Sequence, residues 1–325
     1  MNLTANTLRN CFFSISLLWG AACGVAAQPF SFVALGDLPY GQAAQDHLPY
    51  KSLIAAINRD RPAFSIHIGD FKSGSTPCSD AEFRVQLGLF ALFDSALVYT
   101  PGDNEWTDCH RANNGGHDPL ERLQALRATF YKPGFSLGKQ PLPVLNQSAS
   151  TPAFGKFIEN QRWTHQNVVF ATLHIVGSNN NFEARDPRAG AEFFEREKAN
   201  IVWIRETFAA ARQSQAKALV LAMQADVFES KSLWEDFPAH SGFRGAVGET
   251  LLPLVAESGI PVLLIHGDSH VFRFDQPFVL NKKPLRQLTR LEVPGASDVR
   301  AVHVTVDTQQ ANPFAIRLIE PAAAR

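Results

Sequence analysis

Four times along the chain a short apolar run stops on Gly-Asp: FSFVALGD ends at Asp37, FSIHIGD at Asp70, ALVYTPGD at Asp103 and PVLLIHGD at Asp268. Each run has the Val, Ile and Phe content of a buried strand and is too short for an ordinary helix. In open α/β sheets the ligand site lies outside the carboxyl ends of the strands, so four such ends point to one shared site. Gly-Asp after a strand is also a common turn or helix N-cap, in which the Asp only accepts backbone amide hydrogens. Repetition favours the shared site, and so does His270, two residues after Asp268. Carboxylates gathered without a cation repel and raise one another's pKa, which makes a divalent metal, or two, the physical reason to assemble them.

Between the apolar runs lie longer amphipathic segments, the pattern of an α/β chain. Strands are predicted near 30–36, 64–69, 96–100, 168–176, 218–223 and 261–266. The clearest helix is AEFFEREKANIVWIRETFAAARQSQ, where Ile201, Ile204, Phe208 and Ala211 recur at helical spacing. Beyond Val271 the segments VFRFD, LTRLEVPG, RAVHVTV and FAIRLIEP alternate apolar and polar residues, which predicts antiparallel strands. The expected picture is a mostly parallel, helix-flanked sheet joined to a β-rich end. Two long loops rich in Pro, Gly and Ser, at 132–153 and 225–244, are either covers over the site or surface insertions.

The amino terminus reads as a secretory signal peptide, with Arg9 ahead of the apolar run CFFSISLLWGAACGVAA and small residues at its end. That run is short for a membrane span. Cleavage is expected before Gln28, giving a signal peptide over 1–27 and a single domain over 28–325. A lipid-anchored start at Cys23 is disfavoured by Gly20, where such a signal wants a branched apolar residue. Of four cysteines only Cys78 and Cys109 then remain, and in an oxidising compartment they are expected to pair; two free thiols or a soft-metal pair are the alternatives. A periplasmic or secreted location follows. The formal net charge of −1 gives no electrostatic footprint for nucleic acid or an anionic membrane surface, so a small partner is expected. Oligomeric state is not encoded in any of these features.

In order along the chain, Asp37-Leu38-Pro39, Gly69-Asp70, Gly102-Asp103-Asn104-Glu105, the strand-end Gln224 and Gly267-Asp268-Ser269-His270 resemble the motifs of the calcineurin-like metallophosphoesterases. Those motifs run D-x-H, G-D, G-N-H-[DE], a lone His, and G-H-x-H, and the resemblance extends from Phe30 to Pro321. It implies a layered β-sandwich flanked by helices and a two-metal phosphoesterase centre. By position, Asp37, Asp70 and His270 would hold one metal, with Pro39 replacing a His. Asp70, Asp103, Gln224 and Asp268 would hold the other, with Asp and Gln oxygens standing where the family has Asn and His. An oxygen-rich set suits Mn²⁺, Mg²⁺ or Ca²⁺ better than Zn²⁺, with Fe left open.

Asn104 stands where the family has the His that protonates or orients the leaving oxygen, and Asn cannot transfer a proton. Asn104 and Asp103 are the candidate catalytic pair, and an alternative alignment makes Asn104 the ligand and Asp103 its neighbour. His67 and His266 read as hydrogen-bonded core residues. His110 and His117 are weaker candidates for the missing acid, Tyr40 is expected to pack on Pro39, and Lys72 and Arg273 face either a phosphate or solvent. The expected activity is metal-dependent hydrolysis of a small phosphomonoester or phosphodiester with an alkaline optimum. The rival is a catalytically degenerate, metal-stabilised binding protein. No G-x-S-x-G segment supports a serine hydrolase.

Overall fold

The computed structural model describes residues 28–41, 47–183, 185–228 and 241–322. The expected signal peptide, with Cys11 and Cys23, and most of the 225–244 loop lie outside the described residues. The architecture is α/β: two mixed sheets pack face to face and helices cover both outer faces.

The first sheet has six strands in the order Phe314–Ile319, Ala301–Val306, Phe30–Leu35, Phe64–His67, Ala96–Tyr99 and Leu137–Gly138. Its middle three strands run parallel. The second has seven, in the order Arg273–Asp275, Leu288–Glu292, Val262–His266, Ala218–Ala222, Val168–Thr172, Gln161–His165 and Leu145–Asn146. All six strands predicted before Val271 are present. The β-rich end is divided instead of forming one appendix: 301–306 and 314–319 extend the first sheet antiparallel, while Leu288–Glu292 joins the second sheet parallel to Val262–His266. An alternating pattern reports one half-buried face and does not fix strand direction.

Strand alternation sorts the side chains into layers. Phe32 and Ala34 point between the sheets, where Phe64, Ile66, Val98, Phe170, Val220 and Ile265 meet them. Val33 and Leu35 point the other way, onto Tyr50, Leu53 and Ile57 of helix His47–Asp60. On the far side, Val169 and Leu219 pack on Trp203, Ile204 and Phe208 of helix Pro187–Gln213. That helix starts where Asp186 accepts the amides of Arg188 and Ala189 and Pro187 fills the first turn, a favourable N-terminus. Phe170 lies 5.0 Å from the Phe64 ring and 5.2 Å from Trp163, so truncating it to Ala costs about 3–5 kcal/mol.

The 132–153 segment closes sheet edges: Leu137 pairs with Leu97 and Leu145 with Arg162. It is edge cover, away from the carboxyl ends where the Gly-Asp turns emerge. Cys78 and Cys109 form a disulfide with Cα atoms 5.8 Å apart, fastening the loop after Asp70 to the loop after Asp103.

Candidate metal centre

Each Gly-Asp follows directly on a central strand, and the glycines act mainly through space. A Cβ on Gly102 would fall on Asp70 Oδ1, and one on Gly267 would fall on Asp37 Oδ2. The carboxylate of one turn therefore lies against the bare backbone of the next. The sharp bend itself is taken by the acids: Asp37, Asp70 and Asp268 have φ of 50°, 52° and 75°, in the left-handed region that Asp tolerates better than most residues.

The turns bring together what the sequence separates. Ligand atoms of Asp70, Asp103 and Asp268 lie within 4.8 Å of one another, with Asp70 and Asp103 buried. Asp37 flanks this trio, its two oxygens accepting the Asp268 amide at 3.2 Å each. His270 Nε2 is 3.9 Å from Asp37 Oδ1. Burial drives the carboxyl of Asp70 well above the ordinary range, and the charges of Asp103, Glu105, Asp37 and Asp268 push it further. Burial also raises Asp37, partly offset by the Asp268 amide. Three carboxylates so close, two of them buried, fit a hard divalent cation, which would remove the repulsion that protons otherwise relieve.

Gln224 is in place, but its orientation differs from the expected one. Its Oε1 accepts the Gly177 amide at 2.5 Å, and its Nε2 lies 3.3 Å from Asp70, 3.1 Å from Asp103 and 2.9 Å from Asp268. As placed, the side chain donates to the trio and does not offer it an oxygen. A backbone N–H can only donate, so Gly177 fixes which end of the amide faces inward. Sequence comparison had no means of seeing that constraint.

Asp103 and Asn104 also separate. Asp103 joins the trio, whereas Asn104 donates its side-chain amide to Asp70 Oδ2 at 2.7 Å and to the Tyr40 hydroxyl at 2.9 Å. Tyr40 does more than pack on Pro39: its hydroxyl donates to Asp70 Oδ2 at 3.0 Å and lies 3.2 Å from His270 Nε2. Burial, followed by the charges of Asp70, Asp37 and Asp103, lifts its phenol far above its usual pKa. Burial also lowers the pKa of His270.

Glu105, the acid of the third motif, holds the frame. Its Oε1 accepts the Phe71 amide at 2.8 Å and its Oε2 the Gly102 amide at 3.1 Å, so it locks two of the ligand turns together. Burial pushes its carboxyl up to about 7. Lys72 is buried beside these acids, contrary to a solvated position, and burial lowers its pKa. Arg273 pairs with Glu292. His67 donates from Nε2 to Leu38 O at 3.0 Å and accepts the Gly69 amide on Nδ1, a buried second-layer support for the first two turns. His266 is likewise buried in its strand, and His110 bonds Thr107 O at an exposed position.

One contributor carried no recognisable signal: the run Gly177-Ser178-Asn179-Asn180-Asn181. Four of these residues, Ser178 to Asn181, have φ between 49° and 58°, a left-handed turn without glycine at those positions. It brings the Ser178 hydroxyl to 2.8 Å from Asp103 Oδ2 and 2.9 Å from Asp108 Oδ1. One hydroxyl hydrogen serves one carboxylate at a time. Burial, then the Asp103 charge, pushes Asp108 up to about 6 despite Arg111 at 2.5 Å. Ser178, Asp108, Arg111 and Arg188 line a cleft of about 450 Å³, joined to the trio through the Ser178–Asp103 hydrogen bond.

The sequence matches no protein-family model and no curated protein. Solved structures do resemble it. A dimetal phosphatase from Danio rerio aligns with a TM-score of 0.52 at 12% identity, over 90% of this chain and 99% of that one. PhoD aligns at 0.53 and 12%, over 92% of this chain and 71% of that one. GAP50, the anchor in the inner membrane complex of Plasmodium, aligns at 0.49 and 12%, over 91% and 90%. The chain thus has the metallophosphoesterase-like layered fold, with a divergent cluster of Asp70, Asp103 and Asp268 at the end of its sheets. No helix among the described residues is long and apolar enough to cross a membrane.

Proposed function

We propose that this chain is a divergent calcineurin-like metallophosphoesterase, a single exported domain that hydrolyses a small phosphomonoester or phosphodiester. The observation that carries the reading is the trio of Asp70, Asp103 and Asp268, whose ligand atoms approach within 4.8 Å at the strand ends. The disulfide supports export, since such bonds persist in oxidising compartments, as does the apolar amino-terminal run.

A divalent ion held by Asp70, Asp103 and Asp268 would supply charge neutralisation for a phosphoryl group and acidify a water for attack on phosphorus. Asp37 fastens the Asp268 turn through its backbone amide. Glu105 sets the spacing of the Asp70 and Asp103 turns. Asn104 and Tyr40 hold the Asp70 carboxylate in one orientation by hydrogen bonds to Oδ2. With Asn in place of an imidazole, position 104 supplies no proton to the leaving oxygen, so substrates with good leaving groups are favoured. The rival, a binding protein clamped by its ion, draws on that same substitution.

Hydrolysis of a chromogenic phosphomonoester and a phosphodiester, with Mg²⁺, Mn²⁺, Ca²⁺ or Zn²⁺ and then with chelator, separates the two. Chelator-sensitive turnover, highest with Mn²⁺ or Mg²⁺ and at alkaline pH, is the expected result. A chelator-sensitive melting temperature without turnover of either ester would leave only the clamp.

A further inference from the structure

We infer that the Tyr40 hydroxyl fills the Asp37–Asp70–His270 half of the centre, so that the chain takes one divalent ion and not two. The inference rests on the metal reading above and narrows it. Coordination by Asp37, Asp70 and His270 needs an ion between these groups, about 2.0–2.6 Å from each donor. The atom found between two of them is Tyr40 Oη, 3.0 Å from Asp70 Oδ2 and 3.2 Å from His270 Nε2. It is fixed there, because Asn104 Nδ2 donates to it at 2.9 Å and the Tyr40 ring stands edge-on to His270 at 5.1 Å.

The other donors of that half already accept hydrogen bonds, without being saturated by them. Both Asp37 oxygens accept the Asp268 amide, and Asp70 Oδ2 already receives Tyr40 and Asn104 Nδ2. Pro39 offers no donor atom from its side chain. On the other half, Asp103 and Asp268 face Asp70 with carboxylates, and the group between them is the buried side-chain amide of Gln224, whose Nε2 an ion would displace. Both halves are occupied, one by the Tyr40 phenol held on three sides and the other by the Gln224 amide held by Gly177 and the three acids. What separates them is that an ion displacing the amide meets three carboxylates, whereas one displacing the phenol meets two and an imidazole.

The test is the Mn²⁺ stoichiometry of the mature chain by elemental analysis after dialysis, with the Mn²⁺ electron paramagnetic resonance spectrum as an independent readout. One ion per chain with an isolated six-line signal is expected. His270→Ala should keep that single ion within about threefold of its affinity. Tyr40→Phe, which removes only the hydroxyl, should admit a second, weaker ion. Two ions in the unaltered chain with an exchange-coupled spectrum would overturn the inference while leaving the metal reading intact. So would a Tyr40→Phe chain that stays at one ion, or loss of the ion in His270→Ala. An unaltered chain that binds no Mn²⁺ would remove the metal reading itself, and the inference with it.

Discussion

Two buried polar clusters meet at the left-handed turn of residues 178–181, and they treat charge in opposite ways. Behind the turn, Glu159 bonds Arg127 and His174, while Arg196 binds Glu192 and both the side chain and carbonyl of Asn180. Burial alone would raise Glu159 and Glu192, but the cations beside them hold both below the ordinary range. In front of the turn, Asp37, Asp70 and Glu105 are equally buried and all are shifted upward. Lys72 is buried among them, and its own pKa is lowered by burial. A chain that pairs its structural charges so fully behind the turn has left a negative surplus in front of it, and that surplus marks where an external cation belongs. The first cluster also fixes the second: Arg196 clamps Asn180, so the turn delivers Ser178 to Asp103 and Gly177 to Gln224.

The sharpest way to break this contrast is to unpair the compensated side. Arg127→Met leaves Glu159 buried with only His174, and should cost about 3–5 kcal/mol in urea unfolding under chelator. A loss below about 1 kcal/mol would mean the rear cluster is not held by its ion pairs. Asp70→Asn probes the front. It should lower turnover at least about 100-fold and abolish stabilisation by Mn²⁺, while the chelated protein melts no lower than the unaltered one because a repelling charge is gone. A clear fall in the chelated melting temperature would show Asp70 to be structural.

The pH dependence should differ in sign between the halves. Because Asp37, Asp70 and Glu105 hold their protons higher in the folded state, the folded chain binds more protons than the unfolded one from about pH 4 up to their raised values. Across that window their contribution to stability falls as pH rises, and an ion would restore it. The Mn²⁺-induced rise in melting temperature should therefore grow from pH 5 to pH 8; a shift independent of pH would separate the ion from these carboxylates. The smallest effect is expected from Ser178→Ala, about tenfold in Mn²⁺ affinity with about 1 kcal/mol in unfolding. Unchanged affinity would place the turn outside the centre.

These two clusters were not equally legible in the sequence. The strands and their terminal acids could be read because β-branched runs ending in Gly-Asp are local signals, and Asp37, Asp70, Asp103 and Asp268 lie at the ends of the strands that pattern predicts. Tyr40 was missed because its role depends on His270, 230 residues away, and on the conformation of the turn after Asp37. Gln224 lies against the trio with its nitrogen inward, because the Gly177 amide takes its oxygen, a constraint no local pattern carries. Ser178-Asn179-Asn180-Asn181 carries no local signal of its turn. The buried Arg196, together with Gly242 and Glu192, holds the four left-handed residues, and nothing local predicts that Arg196 bonds Asn180.

The most direct test is an anomalous difference map from crystals grown with Mn²⁺, collected at the manganese edge. A peak bounded by the carboxylates of Asp70, Asp103 and Asp268, with the Gln224 amide turned away, is the expected result. A map empty at that position, with Gln224 Nε2 still bonded to all three acids under saturating Mn²⁺, would contradict the claim that these acids converge to hold a cation.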